Sequence, residues 1–186
     1  MPRAADVIKF GTFVVTSQVF HLTPLSYALV NLKPLLPGHV LVTPRRIVPR
    51  FNDLSAAEVQ DLFMTVQRVS RTIERLFEAS ALNIAIQDGI DAGQSVPHVH
   101  AHIIPRKKDD LSNPDAIYAM MEGEDGDLGR QFQERDARAQ LNSFEQRGKF
   151  PAVDADENRK PRTEEEMMKE ADWLAKEMAK DAEKER

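Results

Sequence analysis

The stretch SVPHVHAHIIPR, Ser95 to Arg106, sets three of the chain's five histidines at every second position. It reads as a β-strand, and because strand side chains alternate between faces, His98, His100 and His102 share one face while Val99, Ala101 and Ile103 point to the other. Packing gives no reason to repeat so costly a polar ring three times, so the row reads as a working group. Two chemistries suit it. Same-face histidines can ligate zinc, and a three-histidine site with an open position is a catalytic pattern, although three alternating side chains on one short strand would have to converge on a single ion. The sequence supplies no distinctive further ligand or outer partner for such an ion. Alternatively, a neutral imidazole can attack an electrophilic phosphorus when an acceptor holds its other ring nitrogen, with flanking imidazoles donating to the phosphate oxygens and the leaving group.

Working outward, LNIAIQD (Leu82 to Asp88) reads as a second strand, joined to the histidine row by the glycine-bearing loop GIDAGQSVP. Earlier, FVV (Phe13 to Val15), SYALVNL (Ser26 to Leu32) and HVLVTP (His39 to Pro44) read as an antiparallel meander, with Pro34, Pro37 and Gly38 between the last two. Between these groups, DLSAAEVQDLFMTVQRVSRTIERLF has a capping-box pattern at Ser55 and Glu58. Its Val59, Leu62, Phe63, Val66, Val69, Ile73, Leu76 and Phe77 recur at helical spacing. Strands with one long helix in this order predict an α+β fold, the helix covering one face of an antiparallel sheet.

Residues 1–110 are expected to form the catalytic domain. Residues 111–161 are rich in charge and poor in periodicity, which predicts a flexible loop. Residues 162–186 predict a C-terminal helix, opened by a capping box at Thr163 and Glu166 and docked on the core by Met167, Ala171, Leu174 and Met178.

Composition narrows the partners. With 25 basic residues against 30 acidic ones and a formal charge of −5, there is no general electrostatic reason to bind nucleic acid or an anionic membrane. The absence of cysteine excludes disulfides, thiolate zinc sites and a cysteine nucleophile. The N-terminus lacks a signal peptide's apolar core, and every later apolar run is broken well short of a bilayer. A soluble intracellular protein is expected, cytoplasmic or also nuclear.

HVHAHII matches the histidine-triad signature, His-φ-His-φ-His-φ-φ, and the chain resembles the Fhit-like branch of that superfamily, the fragile histidine triad dinucleoside polyphosphate hydrolases. The similarity runs through SYALVNLKPLLPGHVLVTPRR, FNDLSAAEVQDLF, IQDGIDAGQSVPHVHAHIIPRK, a short AIY element and the terminal EEEM. The resemblance implies that His100 is the nucleophile, that His102 binds the phosphate during transfer, and that His98 and His39 orient the cluster by hydrogen bonding. It implies phosphate contacts from Gln87 and from the loop Gly93, Gln94, Ser95 and Val96, where glycines let backbone N–H groups approach an anion. Asn31 matches a ribose-binding asparagine. Phe13, with Phe10 and Leu41, is a candidate wall for the base, and Tyr118 matches a tyrosine in the loop after the triad. Arg106 and Lys107 could attract a polyphosphate or simply be solvated.

The implied reaction is hydrolysis of diadenosine 5',5'''-P1,P3-triphosphate to AMP and ADP through a nucleotidyl-histidine intermediate. It would run without a tightly bound cofactor or a protein metal site, with Mg2+ or Mn2+ accompanying the substrate phosphates. A homodimer through the long helix and adjoining strands is also implied. Nucleoside phosphoramidate hydrolysis and a slow-turnover, nucleotide-binding signalling role are the alternatives. Two features depart from the pattern: Pro97 has no N–H, so the strand must begin there or lie unpaired, and the tail is longer and more acidic than the resemblance requires.

Overall fold

The computed structural model describes residues 7–145 and 161–184. The first element among the described residues is a tight hairpin, β1 (Lys9–Phe10) and β2 (Phe13–Val14). Gly11 turns it with φ +57, and a Cβ there would lie 2.8 Å from Val96 Cγ1, so glycine lets the hairpin seat on the loop that carries the histidines.

The main sheet contains β3 (Val19–Leu22), β4 (Ser26–Val30), β5 (Val40–Pro44), β6 (Ala81–Ile86) and β7 (Ala101–Arg106). Its order is β3-β4-β5-β7-β6, with every neighbouring pair antiparallel. All residues of β4 and β5 are buried, which accounts for their largely apolar sequences, SYALV and VLVTP.

Two expectations about strands are corrected. Phe13 and Val14 belong to the separate hairpin, and the meander instead begins at β3, whose sequence VFHL carries a histidine and lacks the clear apolar signal. The strand of the histidine row starts only at Ala101, so His98 and His100 precede it. Pro97 offers no N–H to a ladder, the His98 N–H turns back to Val96 O at 2.7 Å, and the Val99 N–H bonds Val48 O at 2.8 Å. Thr43 Oγ donates to Val99 O at 2.6 Å, which keeps this approach beside the end of β5.

The long helix α1 (Ala56–Leu76) opens with the capping box read from the sequence: Ser55 Oγ accepts from the Glu58 N–H, and the Glu58 carboxylate accepts from the Ser55 N–H. Arg46 grips the same carboxylate with two bonds of 2.7 Å, and with the Ser55 N–H it holds that carboxyl down to about 2. Leu62, Val66, Val69 and Ile73 face the core. Phe63, read as part of that stripe, is exposed beside Met64 because it lies a full helical step off the buried face.

The helix α4 (Glu164–Lys184) follows a second capping box at Thr163 and Glu166. It buries Met167, Ala171, Leu174 and Met178 in the main core, and Arg75 of α1 pairs with Glu177 and Asp181.

The region 111–161 differs from the expected loop. Residues Ala116–Glu122 form α2 and Leu128–Glu145 form α3. Ile117 and Met121 pack with Leu35 and Ile104, while Leu128 and Phe132 join the main core. Among the described side chains each helix has two buried apolar anchors, in a segment of seven residues for α2 and in a charged sequence for α3, so tertiary contact rather than periodicity stabilises them. The part of the expected loop at 146–160 lies outside the described residues.

Candidate active site

The site is a chain of imidazoles. Leu41 lies opposite His102 in the β5–β7 ladder, which puts residue 39 diagonal to His102 on the same face. Their rings meet through His39 Nε2 and His102 Nδ1 at 3.0 Å. The direction of that bond follows from the neighbours. The Leu35 N–H donates to His39 Nδ1 at 3.2 Å, so neutral His39 carries its hydrogen on Nε2 and donates to His102. His102 must then carry its own hydrogen on Nε2, and that buried atom has no hydrogen-bond partner among the described residues.

The same reasoning assigns the other two rings. His100 Nδ1 is 2.7 Å from the His98 carbonyl oxygen, which can only accept, so Nδ1 donates and Nε2 holds a lone pair. His98 Nε2 donates to Pro44 O at 2.8 Å, and its Nδ1 accepts from the Gly11 N–H at 3.0 Å. His98 therefore ties its ring to two backbone segments and meets His100 through its own main-chain carbonyl. His39 instead orients His102 ring to ring.

Burial keeps these imidazoles neutral. Desolvation lowers His98 to about 4 and His39 to about 3, and it lowers His100 as well. His102 is held well below its ordinary value, first by burial and then by its neighbours His100 and His39. Phe10 contributes to this dry wall, stacked on His98 at 5.6 Å and edge-on to His100 at 5.1 Å. A neutral imidazole with a free lone pair thus stands 5.0 Å, centroid to centroid, from one with a free N–H. That pair suits an anionic electrophile: one ring attacks and the other donates to the charge that develops.

The remaining candidates fall into three groups. Asn31 directly follows β4 and is buried. Its Oδ1 accepts from the Lys33 N–H at 3.1 Å, and its Nδ2 lies 3.4 Å from His39 Nδ1. The loop after β6 forms the second group. Gly93 has φ +88, and a Cβ there would stand 2.4 Å from Gln87 Nε2, so the Gln87 amide rests directly on that glycine. Gln94 is engaged at both ends of its amide, donating to Pro49 O and accepting from the Gly89 N–H, each at 2.8 Å. Ser95 Oγ accepts from the Gly129 N–H at 3.1 Å, and Val96 is buried beneath Gly11. Leu41 is wholly core, whereas Phe13 faces Phe132.

Tyr118 belongs to the third group. It sits half-exposed on α2, beside a cavity of about 520 Å³ lined by residues 80–83 and 106–115 and by none of the histidines. Arg106 lies there too, its guanidinium taken by both Asp110 oxygens at 2.8 and 2.9 Å and by Asn83 Oδ1 at 2.7 Å.

Sequence reasoning missed Phe132, Leu128 and Gly129, which reach the site from α3. A signal existed: Asp127 caps that helix by accepting from the Arg130 N–H at 2.9 Å, and the next residue begins the i, i+4 pair Leu128 and Phe132.

The lone pairs of the row point apart: His98 aims its own at the Gly11 N–H and His102 accepts from His39, whereas a three-histidine zinc site needs them to converge.

A histidine row of this kind, running into β7 of an antiparallel sheet in an α+β fold, defines a histidine-triad protein. The HIT domain family matches residues 12–109, and the chain belongs to that family. It is 52% identical over 178 residues to the asymmetrical bis(5'-nucleosyl)-tetraphosphatase of Schizosaccharomyces pombe, covering 96% of this chain and 98% of that one. It is also 54% identical over 116 residues to the bis(5'-adenosyl)-triphosphatase of Dictyostelium discoideum, covering 62% and 78%. The crystal structure of Plasmodium falciparum diadenosine triphosphate hydrolase in complex with Cyclomarin A superposes with a TM-score of 0.56 at 36% identity, covering 72% of this chain and 88% of that one.

Proposed function

We propose that this protein hydrolyses dinucleoside polyphosphates, taking diadenosine 5',5'''-P1,P3-triphosphate to AMP and ADP through a nucleotidyl-His100 intermediate. The observation that carries the reading is the 2.7 Å bond from His100 Nδ1 to the His98 carbonyl, which leaves the Nε2 lone pair beside the unpartnered Nε2–H of His102. His100 Nε2 attacks the α-phosphorus and forms an N–P bond. The P–O bond to ADP breaks, and the electron pair leaves on a phosphate oxygen so weakly basic that it needs little proton assistance. Water then attacks the same phosphorus and gives its proton to bulk solvent, the N–P electrons return to Nε2, and AMP departs. The His102 N–H serves a non-bridging oxygen throughout, where charge grows.

In this reading Gln87 and the backbone of Gly93 to Val96 receive the polyphosphate, Gln94 and Ser95 act by holding that loop in shape, Asn31 meets the ribose and Phe13 the base. Tyr118 meets substrate only if α2 moves. The site offers imidazoles and amides rather than carboxylates, so Mg2+ or Mn2+, which prefers oxygen ligands, is assigned to the substrate phosphates it enters with. The Dictyostelium and Plasmodium relatives, a bis(5'-adenosyl)-triphosphatase and a diadenosine triphosphate hydrolase, support the triphosphate. The Schizosaccharomyces relative favours a second reading of the same chemistry, with a tetraphosphate as substrate.

The proposal includes a homodimer: β6 is an edge strand with Ile84 exposed, and Phe63 and Met64 are exposed on α1. Light scattering on the purified protein tests it. No helix among the described residues is long and apolar enough to cross a membrane. A cytoplasmic or nuclear location completes the proposal, and fractionation tests that part.

The decisive experiment incubates the protein with adenylate-labelled tri- and tetraphosphate and maps the adduct by mass spectrometry. Label on His100 and release of AMP are expected. No AMP from either compound, with rapid cleavage of a nucleoside phosphoramidate, would transfer the protein to the phosphoramidase class. Retained cellular function in His100→Asn, with hydrolysis abolished, would favour the signalling alternative.

A further inference from the structure

We propose that α3 is an internal lid over this same site, and that its Phe132 ring occupies the position a nucleobase takes on Phe13. The inference rests on the proposed nucleotide reaction and adds its regulation. An attacking imidazole needs a phosphorus at its lone pair, yet His100 and His102 are each only 2% exposed. Phe132 extends the aromatic wall that Phe10 sets against His100. Its ring is wholly buried, stacked on Phe13 with centroids 5.1 Å apart and planes 19° apart, and 5.7 Å from Phe10, the ring that meets His100 edge-on. A purine on Phe13 would use the same face at the same spacing, so ring and base compete for one place.

The attachment of α3 suits a part that lifts away. Among its described side chains only Leu128 and Phe132 are buried apolar anchors, and Leu141 is exposed. One hydrogen bond, Gly129 N–H to Ser95 Oγ, ties its first turn to the phosphate-side loop, and a partly exposed ion pair between Lys33 and Asp125 lies just ahead of it. The buried Gln131 amide donates to Asp125 O at 2.8 Å, so it stays with its own segment when the helix moves. Arg135, also on α3, covers the Phe132 ring at 4.8 Å and would leave with it. Closed protein cannot bind nucleotide, so the lid raises the apparent KM by the inverse of the open fraction.

The test compares wild type with Phe132→Ala and Leu128→Ala, each in the full chain and each checked by circular dichroism. The first removes the competing ring. The second loosens α3 while keeping that ring, and it serves if the first fails to fold. Hydrolysis of diadenosine triphosphate should show kcat/KM raised about tenfold, mostly through a lower KM. A second readout needs no turnover: diethyl pyrocarbonate should modify His100 faster in both variants, as located by peptide mapping. Unchanged labelling in folded variants overturns the lid. A fall in kcat/KM with faster labelling also overturns it, since Phe132 would then be a wall that holds the base. Should no form of the protein cleave any dinucleoside polyphosphate, labelling still decides whether α3 covers the histidines, and the reaction assignment fails separately.

Discussion

Acidification should cost this protein much of its stability before the ion-paired carboxylates of Glu58 and Asp110 are protonated. In the unfolded chain a histidine titrates near 6.5, whereas burial takes folded His98 to about 4 and His39 to about 3. Between those values the unfolded chain binds protons that the folded one refuses, so stability is full above about pH 6.5 and falls as pH drops through the window. At about pH 5 the linkage relation gives a loss of about 2 kcal/mol for His98 and about 2 kcal/mol for His39. The sum is a large part of the roughly 5–15 kcal/mol that holds a typical domain together. His100, His102 and His21 are lowered too and act in the same direction. Glu58 and Asp110 titrate at about 2, so their stabilisation is lost only at lower pH. Urea unfolding followed by the single tryptophan, Trp173, which packs on Phe77, measures this directly. Between about pH 7.5 and about pH 5 the unfolding free energy should drop by about 4 kcal/mol or more with an unchanged m-value. A drop below about 1 kcal/mol would refute the reasoning, because the folded rings would then be taking up protons as readily as the unfolded ones.

Other substitutions probe single elements. Leu174→Ala should lower stability by about 3 kcal/mol in the same urea experiment, since this wholly buried side chain docks α4, and a change under about 1 kcal/mol would mean the helix is not held there. Gly93→Ala combines a left-handed backbone with a Cβ 2.4 Å from Gln87 Nε2. It should cost about 1–2 kcal/mol in thermal melts and raise KM for the dinucleotide, and an unaltered KM would remove Gln87 from substrate binding. Ser55→Ala should cost about 1 kcal/mol through the lost cap of α1, with Ser55→Asp recovering most of it.

Legibility in the sequence followed the range of the interactions. The capping boxes at Ser55 and Thr163 and the buried stripes of α1 and α4 are written within a few neighbouring residues, because helix periodicity and caps are local. Strand ends were less legible. Pro97 hinted that the ladder would start late, but the partners that hold Val99 in place of a ladder, Val48 and Thr43, come from another segment. In α3 the polar sequence hid two anchors whose value depends on Phe13 and Phe10 lying opposite Phe132.

By itself, then, the chain's sequence determined which rings make up the site and that they recur in a single row, since that needs only residue identity and spacing. Where each ring keeps its hydrogen was decided by the tertiary structure: by the Leu35 and Gly11 N–H groups and by the carbonyls of Pro44 and His98. The reason is physical. A neutral imidazole has one donor and one acceptor, and which nitrogen is which depends on the partners that folding brings alongside. The same holds for the cover on the site, because a phenylalanine becomes a stand-in for a base only when another aromatic ring is set against its face.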